Sequence, residues 1–318
     1  MLLLYAVIFL VLLMLLFAWY FFRKAFRRPP AKDLTDKEAL LTSEWFSYSP
    51  VLEPALDWYQ KQPWEELSIT SGDGCRLQGL WLPKRDAKLC LILMHGYGGL
   101  PQNLSVIARW AWKQGWSVLL PYERAHGKSG GDYCTLGLLE AEDCCLWSQK
   151  ASELSGSSAK IVLLGTGLGG FAVLNAISKT LPSSVCAVVS DGAYSNPREI
   201  LRRVMKIELR MRVFPLLQIV CLYARFVWKC WPGSVDLRQT LKDNKDMPIL
   251  FIHGKKDMRV PSELTEEMSK ACAAKKTIWL SENAGHGACC LADSEAYFKQ
   301  LRQFVTPLIS GAKTSQMP

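Results

Sequence analysis

Few stretches of this chain place reactive or ligand-holding groups at a spacing that does chemistry, and the most informative is Gly165-Thr166-Gly167-Leu168-Gly169-Gly170. Gly165, Gly167 and Gly170 spell G-x-G-x-x-G, the turn that lays a pyrophosphate on a helix N-terminus, and Asp191 lies about 20 residues on, where a ribose-binding acid would stand. The same letters overlay G-x-S-x-G, the sharp strand-to-helix elbow that lifts a nucleophile above a sheet, and the nucleophile position is then Gly167. Gly127-Lys128-Ser129 imitates the end of a phosphate loop, but Tyr122 occupies the place of the required first glycine. Eleven cysteines form no C-x-x-C pair and cannot all pair within one chain, so they read as reduced packing residues, with no metal site expected. Cys289 and Cys290 follow His286 closely and read as inert packing thiols.

The elements that must position these residues follow one another as strand and helix. Leu67 to Thr70 and Arg76 to Leu82 alternate around Ser71-Gly72-Asp73-Gly74, which predicts a hairpin. Continuous apolar runs at Leu89–Met94, Ser117–Leu120, Ile161–Leu164, Val185–Ser190, Pro248–His253 and Thr277–Leu280 predict strands, several of them buried on both faces. Helices are predicted over Asn103–Lys113, Leu136–Ala151, the segment after Gly170, Glu263–Ala274 and Ser294–Val305. This alternation specifies a doubly wound, mostly parallel α/β sheet. A dinucleotide fold normally carries its fingerprint on the first strand, whereas here several strands precede it, so the elbow reading is preferred.

Of the 318 residues, 49% are hydrophobic and 21% charged, enough for one sizeable domain with appendages. Residues 1–22 contain no charged side chain and, at about 1.5 Å per residue, are long enough to cross a hydrocarbon core of roughly 30 Å. They read as a transmembrane helix, since a basic start and a small-x-small cleavage site are both missing. Residues 23–63 read as a basic flank and a linker or collar with amphipathic stretches near Lys32–Leu41 and Val51–Tyr59, residues 64–310 as the catalytic-type domain, and 311–318 as a tail. The net charge of +9 is concentrated: Arg23, Lys24, Arg27 and Arg28 give +4, and Arg198 to Lys229, with eight basic and two acidic residues, give +6. Both clusters adjoin apolar sequence, which argues for an anionic membrane surface and against nucleic acid. The basic flank predicts a single-pass N-terminal membrane anchor with the globular part in the cytoplasm.

Five motifs in fixed order resemble the α/β-hydrolase superfamily, in particular the membrane-anchored serine hydrolases of the serine aminopeptidase and monoacylglycerol lipase-like branch. They are His95-Gly96-Tyr97-Gly98-Gly99 after the third strand, Arg124 to Gly131, the elbow, Ile252 to Asp257 with Val260-Pro261, and Gly285-His286-Gly287. The resemblance covers about Trp64 to Pro307 and implies an α/β-hydrolase fold with a helical cap insert at about 196–231. It further implies Asp257 as the acid and His286 as the base of a triad, with an oxyanion hole from the backbone N–H groups of Tyr97 and Leu168. His95, His126 and His253 are expected to satisfy turns by hydrogen bonding rather than to do chemistry.

Gly167 departs from the family pattern, which has serine there: glycine supplies the elbow's backbone angles but no oxygen to attack a carbonyl. Tyr122 departs from an aspartate two residues before the arginine. Three functions stay open: an esterase, lipase or amidase acting by a non-serine route, a pseudo-hydrolase binding an acyl, ester or hydrophobic small molecule, and a membrane scaffold. No cofactor is expected, and membrane lipid is the expected partner surface. The cap is expected to break at Pro215 and to meet the membrane through Arg198, Arg202, Arg203, Lys206, Arg210 and Arg212.

Overall fold

A computed structural model describes residues 1–31, 33–156 and 159–309, so the tail 311–318 lies outside the described residues. The N-terminal helix α1 (Leu2–Phe26) is long and apolar enough to cross a membrane. It runs beyond Phe22, where the sequence reading ended the span, and the reason is packing. Ala18, Phe22 and Phe26, four residues apart on one face, are buried in the domain, while Leu2 to Leu13 are exposed. Phe22 stacks on Tyr133 at 5.4 Å between centroids, and Phe26 meets Trp228 edge-on at 5.0 Å. The basic flank is partly consumed by the same junction: the Arg28 guanidinium donates to the carbonyls of Gly127, Ser129 and Gly131, and Arg27 pairs with Tyr133 across an isolated bridge.

The collar holds two short helices, α2 (Lys37–Leu41), capped by the Asp36 carboxylate, and α3 (Ser49–Gln60). The hairpin follows as β1 (Glu65–Thr70) and β2 (Arg76–Leu82), paired antiparallel in the register the alternation predicts. Then come β3 (Leu89–Met94), α4 (Ser105–Lys113), β4 (Ser117–Pro121), α5 (Glu140–Ser155), β5 (Lys160–Thr166), α6 (Leu168–Ala176) and β6 (Val185–Asp191). The start of α5 falls later than the predicted Leu136. Leu136 and Gly137 take positive φ, and the Glu140 carboxylate accepts from the Thr135 and Gly137 N–H groups at 2.7 and 2.8 Å, closing a turn where the apolar pattern suggested a helix.

The insert is helical. It comprises α7 (Pro197–Arg203), a π-helical turn over Val204–Glu208, and α8 (Leu216–Val227), which starts directly after Pro215. A further short helix, α9 (Leu237–Asp243), was not evident from the sequence, where only Leu237 and Leu241 point inward. The chain closes with β7 (Ile249–Gly254), α10 (Ser262–Ala271), β8 (Lys276–Ser281), α11 (Cys289–Ala292) and α12 (Ser294–Ile309).

The eight strands form one sheet in the order β1-β2-β4-β3-β5-β6-β7-β8, antiparallel at β1/β2/β4 and parallel from there on. Alternate residues of the central strands feed opposite faces: Cys90, Ile92 and Met94 join a core with α1, α5, α6 and α8, while Leu89, Leu91 and Leu93 join one with α3, α4 and α12. That two-sided burial explains the unbroken apolar runs. It also brings the C-terminal ends of β3, β5, β6 and β7 to one edge, the place where open α/β sheets bind ligands.

Candidate functional site

Thr166 ends β5, and Gly167 takes φ +54° and ψ −109° before α6 begins. Its N–H donates to the Asp191 carbonyl at 2.8 Å, and the Gly169 N–H donates to the His95 carbonyl at 3.1 Å, so the elbow is tied to both flanking strands. The outer glycines are steric necessities: a Cβ at Gly165 would land on the Gly169 backbone, and one at Gly169 on the Met94 carbonyl. Gly167 differs, for its Cβ would meet nothing closer than His286 Nε2 at 3.6 Å and Cε1 at 3.7 Å. The glycine at 167 is therefore not demanded by crowding, only eased by the positive φ.

Opposite that space, His286 Nδ1 lies 2.7 Å from Asp257 Oδ2. Asp257 follows β7, and its Oδ1 accepts from the N–H groups of Arg259 at 2.9 Å and Val260 at 2.8 Å. Burial raises the Asp257 carboxyl, but hydrogen bonds from His253 and His286, the imidazole charge and the Val260 N–H outweigh it and hold the group well below the usual carboxylate range. Asp257 is thus an ionised acceptor that leaves His286 Nε2 free toward Gly167. His253 is fully buried beneath it, 3.3 Å from Asp257 Oδ2 and 2.6 Å from Thr265 Oγ1.

The loop after β3 faces the elbow, with Gly96 Cα 4.0 Å from where a Cβ on residue 167 would stand. Among the described residues, neither the Tyr97 N–H nor the Leu168 N–H donates to a protein acceptor, and both belong to segments meeting at the elbow. Two neutral histidines brace this loop. His95 Nδ1 bonds the Gly96 carbonyl at 2.9 Å and its Nε2 accepts from the Glu123 N–H at 3.1 Å; burial, then His126, drives its pKa down to about 3. His126 Nδ1 bonds the Arg124 carbonyl at 2.9 Å and its Nε2 accepts from the Gly98 N–H at 3.1 Å, and burial lowers its pKa as well. The Tyr97 hydroxyl donates to the Ala25 carbonyl in the last turns of α1. From the collar, Trp45 approaches Gly287 and the Pro30 carbonyl approaches Gly98, so the segment read as a linker lies over the site loops.

Other candidates take structural places. The Asp191 carboxyl is buried at 2% exposure and raised by that burial, which removes it as a solvent-facing ribose acid. Cys289 and Cys290 are buried, and burial lifts both thiols well above their ordinary value, the opposite of what an attacking thiolate needs. Arg124 is locked in an ion pair with Asp143 at 2.7 Å and a second with Asp73 at 2.9 Å. Tyr122, in the aspartate's usual place, packs its ring over Gly127. The sequence reading missed Glu123: both carboxylate oxygens are buried without a partner, and burial, with Glu140 and Asp143 nearby, pushes its pKa well above the usual range. The only signal for it was an acid two residues past the end of an apolar strand.

Sheet order, elbow and acid–base pair together define a protein with the α/β-hydrolase fold. No family model matches the chain. It is similar to the protein YqkD of Bacillus subtilis, at 23% identity over 241 residues covering 74% of this chain and 77% of that one. It is also similar to YfhR of Escherichia coli K12, at 23% over 262 residues covering 78% and 83%. Among solved structures, the Pyrococcus furiosus esterase Pf2001 superposes with a TM-score of 0.66 at 20% identity, covering 79% of this chain and 94% of that one.

Proposed function

We propose that this is a membrane-anchored protein of α/β-hydrolase fold that holds an acyl or ester ligand without forming an acyl-enzyme. One observation carries the reading: the position facing His286 Nε2 is Gly167, with no side-chain oxygen to be activated. The ligand's carbonyl would lie against the Tyr97 and Leu168 N–H groups, and the likeness to an esterase supports an ester or acyl group there. The anchor is α1, and Arg23 and Lys24, which lie over the Trp19 and Tyr20 rings and are not drawn into the domain as Arg28 is, favour a cytoplasmic domain.

A second reading rests on the same missing side chain at Gly167. A water opposite His286 Nε2 would give a proton to the imidazole, steadied by Asp257, and attack the carbonyl; collapse of the tetrahedral intermediate would break the ester C–O bond, with the His286 proton passing to the leaving alkoxide. Without a nucleophile, triad enzymes retain about 10³ to 10⁴ over water, which is the ceiling for this route. The test is fluorophosphonate labelling of the purified full chain beside turnover of short and long p-nitrophenyl esters. Absence of stoichiometric labelling is expected; labelling mapped near the elbow overturns both readings. Burst-free turnover that disappears in His286→Ala selects the water route over binding alone.

A further inference from the structure

The cap contains a cavity of about 640 Å³ whose lining includes neither Gly167 nor His286. Its lining carries Arg198, Arg202 and Lys206 together with Val213, Phe214 and Leu217, the residues leading into and starting α8. Like charges repeated every fourth residue repel along a helical segment, so such a row normally finds carboxylate partners. Here it does not. Among the described residues, no carboxylate lies within ion-pair distance of Arg198, Arg202 or Lys206. The single acid in the lining, Glu199, is already held by Arg238 at 3.0 Å. Arg198 instead sits beside the Cys221 thiol.

The apolar part of the lining is equally unfinished. Phe214 is 75% exposed, and Ile207 and Leu209 in the adjoining π turn and loop are exposed too. The same insert reaches α1: the Tyr223 hydroxyl of α8 donates to the Leu15 carbonyl at 3.1 Å, and Trp19 meets Tyr223 edge-on. Cations without carboxylate partners and apolar side chains in one cavity lining, in an insert that touches a helix able to cross a bilayer, match a molecule with an anionic head and an apolar tail.

We propose that the cap cavity binds the anionic headgroup of a membrane amphiphile, its phosphate or carboxylate against Arg198, Arg202 and Lys206 and its first methylenes against Val213, Phe214 and Leu217. The bilayer as source rests on the reading of α1 as an anchor; the headgroup site does not. A second cavity of about 160 Å³ shares Asn196 and Glu199 with the first and reaches Pro261 and Leu264, beyond the acid loop. The cap thus adjoins the region that carries Asp257, where the Arg203 guanidinium donates to the Met258 and Arg259 carbonyls at 3.1 and 2.9 Å.

The full chain in a neutral detergent is titrated with dodecyl phosphate, dodecylphosphocholine and inorganic phosphate, read by calorimetry and by the tryptophan fluorescence that is lost in Trp231→Phe, since Trp231 lines the cavity. Saturable binding of dodecyl phosphate is expected, at least tenfold tighter than either of the others and weakened by salt. The double variant Arg202→Gln, Lys206→Gln, both surface-exposed and so without consequence for folding, is expected to weaken it tenfold or more. Phe214→Ser is expected to weaken dodecyl phosphate and leave inorganic phosphate unchanged. Equal binding by the double variant overturns the site, equal binding of inorganic phosphate overturns the amphiphile, and equal binding of the phosphocholine overturns the anionic head. Flotation of the same protein with neutral phosphatidylcholine vesicles tests the anchor separately. Flotation without dodecyl phosphate binding sinks this inference alone, and binding without flotation leaves the headgroup site and removes the bilayer as its source.

Discussion

At Gly167 a backbone fit for a nucleophile lacks the side chain it would present. A serine there accepts some strain at φ +54°, but its Cβ finds 3.6 Å of clearance to His286 Nε2, within hydrogen-bond reach once an Oγ is added. Gly167→Ser is therefore expected to create fluorophosphonate labelling and to raise p-nitrophenyl ester turnover by about 10² or more, with the gain abolished in Gly167→Ser, His286→Ala. A folded single variant that neither labels nor turns over would show that the pair is not poised. Glu123 yields a second expectation. Its folded pKa is raised, so as pH climbs above the unfolded value of about 4.3 the unfolded chain releases a proton that the folded chain keeps, and stability falls by up to about 1.4 kcal/mol per pH unit. Glu123→Gln removes that loss, so its Tm advantage over the parent should be negligible at pH 4 and grow through pH 5 to 7. A Tm difference independent of pH would mean the carboxyl ionises in place.

Elements were legible where their signals are local. The hairpin turn, the apolar strand runs and the five motifs each lie within a few consecutive residues, which is why β1 to β8 and the Asp257–His286 pair could be anticipated. What stayed hidden is what sequence neighbours do not encode. In α1 the buried stripe of Ala18, Phe22 and Phe26 is invisible because the residues around it are apolar as well, so a lipid-facing helix and a core-facing one spell the same letters. The burial of Glu123 beside Glu140 and Asp143, and the cavity that residues 196 to 233 enclose by folding back on themselves, are set by tertiary packing and leave no local spacing signal. Phe22 tests the point. Fully buried among Trp19, Tyr133 and Trp228, its truncation to Ala should cost about 3–5 kcal/mol and lower Tm by on the order of 10 °C in detergent, whereas Leu10→Ala, exposed in α1, should leave Tm unchanged.

For the whole molecule, the helix and the domain form one folded unit. A chain beginning at residue 29 would expose the surfaces of Tyr133, Tyr223 and Trp228 that α1 covers, and is expected to aggregate or melt early. A chain beginning at residue 15 keeps Ala18, Phe22 and Phe26 and should remain folded with a near-parental melting profile. Equal stability of the two truncations would mean that the α1 packing contributes nothing.

The bond from the Tyr97 hydroxyl to the Ala25 carbonyl sits at the end of that junction, and it joins the loop facing the elbow to the helix itself. With α1 in a bilayer, no swivel separates the domain from its anchor, so the site and the cap stand at one height and one azimuth over the lipid surface. An amphiphile dissolved in that bilayer would then reach them in two dimensions, selected by depth and lateral density. If α1 is the anchor proposed above, the fitting unit for an amphiphile's affinity is a mole fraction of lipid, and a measured strength should follow the composition of the membrane and stay constant as the volume of water around it changes.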